Sequence, residues 1–272
     1  LGGISVTEKS VSFETSIRSI ISENAGIFGI AAWNLQDDRQ FLLNEHEVFP
    51  SASVIKVPII AELFWQRDEG RVSLDEVVRL TDEVKVPGSG ILKELRAGLE
   101  MTLYDLAMLM IVLSDNTATN MIIDRLTPEA VTSRMRSIGL KNTVLARKMY
   151  DWEEQKKGKE NLCTPYDMMI LLKKIVDGEI SSKSTCLEIV EIMAKQQYRD
   201  KIPLLLPEGI KIANKTGSIS GVTHDVAIVY TDRGPYILCV MSKGIDDAED
   251  QRIAKFAIAR ISRVVYDEFS KT

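Results

Sequence analysis

Apolar positions recur at helical spacing over residues 10–24, where Val11, Ile17, Ile20 and Ile21 fall on one face. The period then shortens: "IFGIAAWNL" (27–35) and "RQFLLN" (39–44) read as two strands joined by the polar turn "QDD". From Val54 to about Lys195 the pattern is mainly helical, carried by "VIKVPIIAELFWQR", "TLYDLAMLMIVL", "ATNMIIDRL", "PEAVTSRMRSIG", "PYDMMILLKKIVDG" and "SKSTCLEIVEIMAKQ". Pro, Gly and Asp, Asn, Ser or Thr residues punctuate these segments. Strands return in "IKIANKTG", "VTHDVAIVYT" and "PYILCVMSKG", the last two joined by the hairpin signal "DRG". A helix over 247–269 closes the chain.

Strands at both ends with helices between them predict an α+β fold. One antiparallel sheet, built from both termini, packs on the two terminal helices, and an all-α subdomain is inserted. The chain reads as one domain over 1–272, with an α/β part from 1–50 and 197–272 and a helical part from 51–196. A cleft between the two parts is the expected site. The glycines of "VPGSGIL" (86–92) lack the spacing of a phosphate-binding loop and read as an ordinary loop.

Composition narrows the partners. With 45% hydrophobic and 27% charged residues and a net charge of −5, the 272-residue chain is that of a soluble globular protein. It has no Lys/Arg tract to track nucleic acid, since the densest basic stretch, "EEQKKGKEN", is balanced by acids. No apolar run reaches the roughly 18 residues that a membrane-spanning helix needs. The chain starts "LGGISV" without Met, so the lack of a leader decides nothing. Cys163, Cys186 and Cys239 form neither a zinc pattern nor a disulfide framework, and read as small core residues. The expectation is a monomer with no metal and no cofactor.

The chemistry starts at "SASVIKVPII" (51–60), where Lys56 sits among Val54, Ile55, Val57, Ile59 and Ile60. Burying an unpaired ammonium there is costly. Ser53 lies one helical turn back on the same face, and it is the only serine in the chain with a lysine three positions on. A serine hydroxyl becomes a nucleophile when a base takes its proton, and a desolvated lysine of lowered pKa can be that base. A serine at a helix start also has a backbone N–H free to stabilise an oxyanion.

Two further motifs follow: Ser114-Asp115-Asn116 at a break between helical segments, and Lys215-Thr216-Gly217 ending a strand. Each motif has a plainer reading on its own: a helix start with a surface lysine, a helix cap, an edge-strand lysine before a turn. A Ser-His-Asp arrangement would need His46 or His224, and neither lies near a nucleophile elbow.

The order Ser-x-x-Lys, Ser-Asp-Asn, Lys-Thr-Gly, each in a suitable context and spread over nearly the whole chain, resembles the serine β-lactamase and penicillin-binding protein superfamily, particularly the class A β-lactamases. The resemblance implies a β-lactamase-like fold with Ser53 as the acylated nucleophile and Lys56 as its proton partner. Ser114 would relay a proton to the leaving nitrogen, and Asn116 would hold Lys56 and the substrate amide. Lys215 and Thr216 would bind the substrate carboxylate. The backbone N–H groups of Ser53 and Ser218 would form the oxyanion hole, with Gly217 allowing close approach. It also implies an extracytoplasmic location and a small-molecule β-lactam or peptidyl-D-Ala-like substrate.

The chain departs from the pattern at two places. The class A glutamate that positions the deacylating water, in Glu-x-x-Leu-Asn, has no counterpart in "ARKMYDWEEQKKGKENLCTPYDMM" (146–169). Arg147 fits the start of that loop, and alignment puts Lys148 or Met149 at the glutamate's place. Asp151, Glu153 and Glu154 are the nearby carboxylates, with Asp151 favoured as the water activator. The carboxylate-binding arginine usual after the Lys-Thr-Gly strand is also absent, because Arg233 falls in the hairpin turn. The leading expectation is therefore β-lactam amide hydrolysis through an acyl-serine that is released slowly. A penicillin-binding or D-Ala-D-Ala peptidase-like acyl enzyme, a serine esterase and a non-hydrolytic penicillin-sensing domain are the alternatives.

Overall fold

The computed structural model describes the backbone of residues 5–271 and the side chains from Phe13 onward, so Val11 lies outside the described side chains. The chain runs α1 (Ser5–Ser22), β1 (Ile27–Asn34), β2 (Gln40–Leu43), β3 (Phe49–Pro50), then a 3-10 turn (Ala52–Ile55) leading into α2 (Lys56–Asp68). Next come β4 (Val77–Arg79), β5 (Glu100–Thr102), α3 (Leu103–Val112), α4 (Asn116–Leu126), α5 (Pro128–Ser137), α6 (Trp152–Lys156) and β6 (Leu162–Cys163). The last third holds α7 (Pro165–Asp177), α8 (Lys183–Ala194), β7 (Ile212–Ile219), β8 (Gly221–Thr231), β9 (Gly234–Ile245) and α9 (Ala248–Phe269).

The five long strands form one antiparallel sheet in the order β2-β1-β9-β8-β7. Strands from the two chain ends meet where β1 pairs with β9, Ala31 opposite Cys239. Alternate side chains leave opposite faces of a strand, and here both faces are covered. Val226, Ile228, Ile237, Cys239 and Met241 enter the larger core with the helices of the insert. Ala227, Val229, Leu238 and Val240 enter the second core with Ile17 and Ile20 of α1 and Ile258, Ile261 and Val265 of α9. A one-residue slip of β8 would exchange the two sets, so burial on both sides pins the register.

The insert departs from the all-α expectation. Two short ladders interrupt it: β4 pairs with β5, and β6 pairs with β3. Segments of two or three residues are too short to show an alternating pattern, so sequence periodicity passes over them. The β3–β6 ladder, Phe49 opposite Cys163, ties the start of the Ser53 turn to the far end of the 147–161 loop. Cys163, Cys186 and Cys239 are buried free thiols. Among the described residues no helix is long and apolar enough to cross a membrane.

Candidate active site

The turn that carries Ser53 is held from both sides. Ser51 N donates to Asn161 O (2.7 Å), and Pro50 O lies 2.8 Å from His224 Nε2. The His224 ring is buried, and its other polar contacts, Thr223 O and Ser242 N at Nδ1, are also backbone atoms. Burial pulls its pKa down to about 4, so at pH 7 it is a neutral strut for the turn. Ala52 then takes a left-handed φ of +46° and the chain enters the 3-10 turn that carries Ser53.

One turn on, Lys56 is completely buried. Its Nζ donates to Ser114 O (2.7 Å) and Asn116 Oδ1 (2.8 Å) and lies 3.0 Å from Ser114 Oγ, so its hydrogen bonds go to the Ser-Asp-Asn segment and not to Ser53. Burial first, and the Lys215 charge second, hold its pKa well below the usual lysine range, with Asp115 opposing them. That favours the neutral amine that a base requires.

The Ser114-Asp115-Asn116 segment links α3 to α4, with Ser114 at φ +53°. Asp115 caps α4 by accepting from Ala118 N (2.9 Å), and its other oxygen accepts from Ile91 N (2.7 Å) and Leu92 N (2.8 Å). Asn116 N donates to Ser89 O (3.0 Å) and Asn116 Nδ2 to Pro87 O (3.2 Å). The 86–92 loop is thereby fixed over the motif. Gly90 makes this possible: it has φ +107°, and a Cβ there would lie 2.2 Å from the Asp115 carboxylate. Since three hydrogen bonds anchor that carboxylate, Gly90→Ala is expected to lower stability by more than about 2 kcal/mol in urea unfolding.

The facing wall is β7. Lys215, also fully buried, donates from Nζ to Ser114 Oγ (3.1 Å) and Thr216 O (2.8 Å). Burial, reinforced by the Lys201 charge, lowers its pKa to about 7. Ser114 Oγ therefore lies between two lysine nitrogens, the geometry of a proton relay. A Cβ on Gly217 would come within 3.2 Å of Ser53 N, so the glycine lets the strand lie against the Ser53 backbone. A cleft of about 600 Å³, lined by Ser53, Asn116 and Ser218 among others, adjoins a side cavity of about 210 Å³ that Ser53, Ser114, Thr216 and Ser218 share.

The 147–161 loop forms the cleft floor. Arg147 pairs with Glu160 (2.7 Å), and Asn161 Oδ1 accepts from Ala146 N (2.8 Å) and Arg147 N (3.0 Å). Asp151 is not brought to Ser53, which departs from the sequence expectation. Its carboxylate caps α6 by accepting from Glu154 N (3.1 Å), and it does not line the cleft. Asp is a preferred cap, and the short polar helix behind it claims the side chain. Glu153 pairs with Lys156 (2.9 Å), and Glu154 pairs with Lys157 (2.6 Å) and Lys159 (2.5 Å), both on the solvent side. Lys148 pairs with Asp124. Met149 lines the cleft, held by Asn120 through both backbone groups (2.7 and 3.0 Å).

Glu160 is the one carboxylate among the residues lining the cleft, and it is already bonded to Arg147 and Gln155 Nε2 (2.9 Å). Sequence reasoning missed Glu160, the His224 strut and the buried Lys201. A histidine inside an apolar strand run was a usable signal for the strut. Nothing local marked the other two. Among the described residues no group of three or more His, Cys, Asp or Glu is placed to hold a metal ion.

Fold and site together define a serine hydrolase of the Ser-x-x-Lys kind. The family model described as the beta-lactamase enzyme family matches residues 12–269, and the chain belongs to that family. It is similar to a β-lactamase structure from Sphaerobacter thermophilus, 30% identical over 95% of this chain and 97% of that one, with a TM-score of 0.87. PBP-A is 32% identical over 96% of this chain and 97% of its own, with a TM-score of 0.86, and a Leu-to-Glu mutant of it has been solved as an acyl-enzyme complex with penicillin G. Beta-lactamase PSE-4 of Pseudomonas aeruginosa is 25% identical over 94% of this chain and 90% of its own length.

Proposed function

We propose that this protein opens the β-lactam amide bond by acylating Ser53 and releases the acyl group slowly. The observation that carries the reading is an asymmetry in the cleft. Groups suited to acylation converge beside Ser53, while the single carboxylate lining the cleft, Glu160, is neutralised by Arg147.

In the acylation step the neutral Lys56 amine takes the Ser53 proton as Oγ attacks the carbonyl carbon. The backbone N–H groups of Ser53 and Ser218 receive the developing oxyanion. Ser114 Oγ, bonded to both Lys56 and Lys215, gives its proton to the departing ring nitrogen and recovers one from the lysines. Asn116 orients Lys56 through Oδ1, and Lys215 with Thr216 draws the substrate carboxylate. Deacylation needs a base beside a water, and of Lys148 and Met149, the two residues that alignment puts at the glutamate's place, Met149 is the one that lines the cleft.

A chromogenic cephalosporin followed by stopped flow and intact-mass analysis tests this. The expected trace is a fast burst with a mass increase on Ser53, then slow turnover. Met149→Glu is expected to shorten the adduct lifetime by about 10- to 100-fold, within the usual range for an added general base. Rapid turnover without a burst, together with no response to Met149→Glu, would remove the slow-release reading.

The apolar Met149 also favours a second reading, a D-Ala-D-Ala peptidase-like acyl enzyme, supported by the likeness to PBP-A. Release of D-Ala from an acyl-D-Ala-D-Ala peptide faster than hydrolysis of the cephalosporin would select it.

A further inference from the structure

Tyr150, in the 147–161 loop, has a left-handed φ of +61°. Glycine enters that region freely, whereas an aromatic residue is strained there. The backbone is clamped on either side of it. Asn120 holds both backbone groups of Met149, Trp152 N donates to Tyr150 O (3.0 Å), and Asp151 caps α6. Strain that the surroundings hold in place beside a cleft points to the side chain it presents.

The ring reaches across to the 86–92 loop. A Cβ on Gly88 would lie 2.4 Å from Tyr150 Oη and 2.7 Å from both Tyr150 Cε2 and Asn116 Nδ2. The ring edge and the Asn116 amide therefore share the space that this glycine leaves empty. Tyr150 also meets the half-exposed Trp152 edge to face, with centroids 5.5 Å apart and planes at 89°. Gly88, Asn116, Tyr150 and Trp152 all line the main cleft, and none of them lines the side cavity. Ser114 lines the side cavity and not the cleft. On the proposed route the leaving nitrogen thus faces the side cavity, and the acyl group lies in the cleft against Tyr150.

We propose that Tyr150 is a specificity-determining residue: its ring, wedged between Gly88 and Trp152, sets an upper limit on the bulk of the acyl group that the cleft admits beside Asn116. The assignment rests on the reading of Ser53 as the acylated group and deepens it. Tyr150 acts by occupying space and moves no proton. A packed wall takes extra volume only by being displaced, and a misfit of one methylene changes a specificity ratio about 10- to 200-fold.

Benzylpenicillin and methicillin share a nucleus and a carboxylate, and methicillin has the bulkier acyl group, a dimethoxyphenyl ring joined directly to the amide carbonyl. Tyr150→Gly is expected to raise the acylation rate constant for methicillin about 10- to 100-fold and to leave that for benzylpenicillin nearly unchanged. Glycine adopts the left-handed φ without strain, so the loop should keep its course. Tyr150→Asn, which also tolerates this φ, takes its place should the glycine variant not fold. Tyr150→Phe should keep the wild-type preference, because volume and not the hydroxyl sets the limit. Equal gains or equal losses for the two penicillins, no change for either, or a preference lost in Tyr150→Phe would remove the proposal.

Equilibrium binding of methicillin to Ser53→Ala, with and without Tyr150→Gly, reads the same wall without covalent chemistry. If the wild type is never acylated but loss of the ring tightens this binding by about 10-fold or more, the acylation reading fails and the size limit stands. If the wild type is acylated but methicillin is indifferent to Tyr150 in both binding and acylation, the size limit fails and the acylation reading stands. If neither acylation nor binding occurs with either penicillin, both fall.

Discussion

Replacing Ser53 by alanine is expected to abolish the covalent adduct that benzylpenicillin forms on the wild type. Turnover of a chromogenic cephalosporin should fall on the order of 10⁵-fold or more, as when a nucleophile is removed from other serine hydrolases. Ser53 is half-exposed at the junction of the two cavities, and its backbone N faces Gly217, so the substitution removes one oxygen atom and leaves the turn intact. The His224–Pro50 and Ser51–Asn161 contacts that shape the turn do not involve the hydroxyl. Intact-mass analysis with an unchanged unfolding midpoint is the measurement. An adduct of equal mass and rate on the alanine variant would mean that another group is acylated.

The second large effect is expected at Lys56. Lys56→Met keeps an unbranched side chain in a fully buried slot but removes the amine, and acylation should slow by about 10²- to 10⁴-fold. Its pH dependence should change as well. On the proposed route the base is the unprotonated amine, so acylation is expected to rise as pH climbs through the depressed Lys56 pKa. It is expected to fall again as Lys215 loses its proton at about 7 and the facing wall loses its charge. Lys56→Met should lose the rising limb and keep the falling one. Stability should change little, because two effects oppose each other. The variant sheds the desolvation of a fully buried amine beside Lys215, but it strands Ser114 O and Asn116 Oδ1 without their donor. Single-turnover acylation against pH decides the matter. An intact rising limb in Lys56→Met would assign the base elsewhere.

Much of this architecture was legible in the chain because its signals are local. Ser53 and Lys56 are one helical turn apart, Asp115 and Asn116 begin a helix, and Lys215 to Gly217 end a run of strand residues. The long strands could be read because apolar residues fill both of their faces. What escaped depends on distant partners. Lys201 lies in a segment without periodicity, and its three acceptors come from β7 and β8. The fate of Asp151 turned on a competition that sequence does not rank, between a helix cap one turn away and an opening toward Ser53. Glu160 could be placed only through its pairing with Arg147 across the loop.

The pairing of β1 with β9 has a consequence for how the protein is made. The first hairpin leaves the ribosome with one edge unsatisfied, and the strand that covers that edge ends at Ile245. At about 5–20 residues per second, the edge stays open for about 10–40 s of synthesis. Closing so long a loop is also slow compared with forming the helices between. During that interval the exposed edge of β1, rich in apolar residues, is a template for pairing with another nascent chain. Chaperone supply and growth temperature should therefore govern the yield of soluble protein more strongly than the stability of the finished fold does.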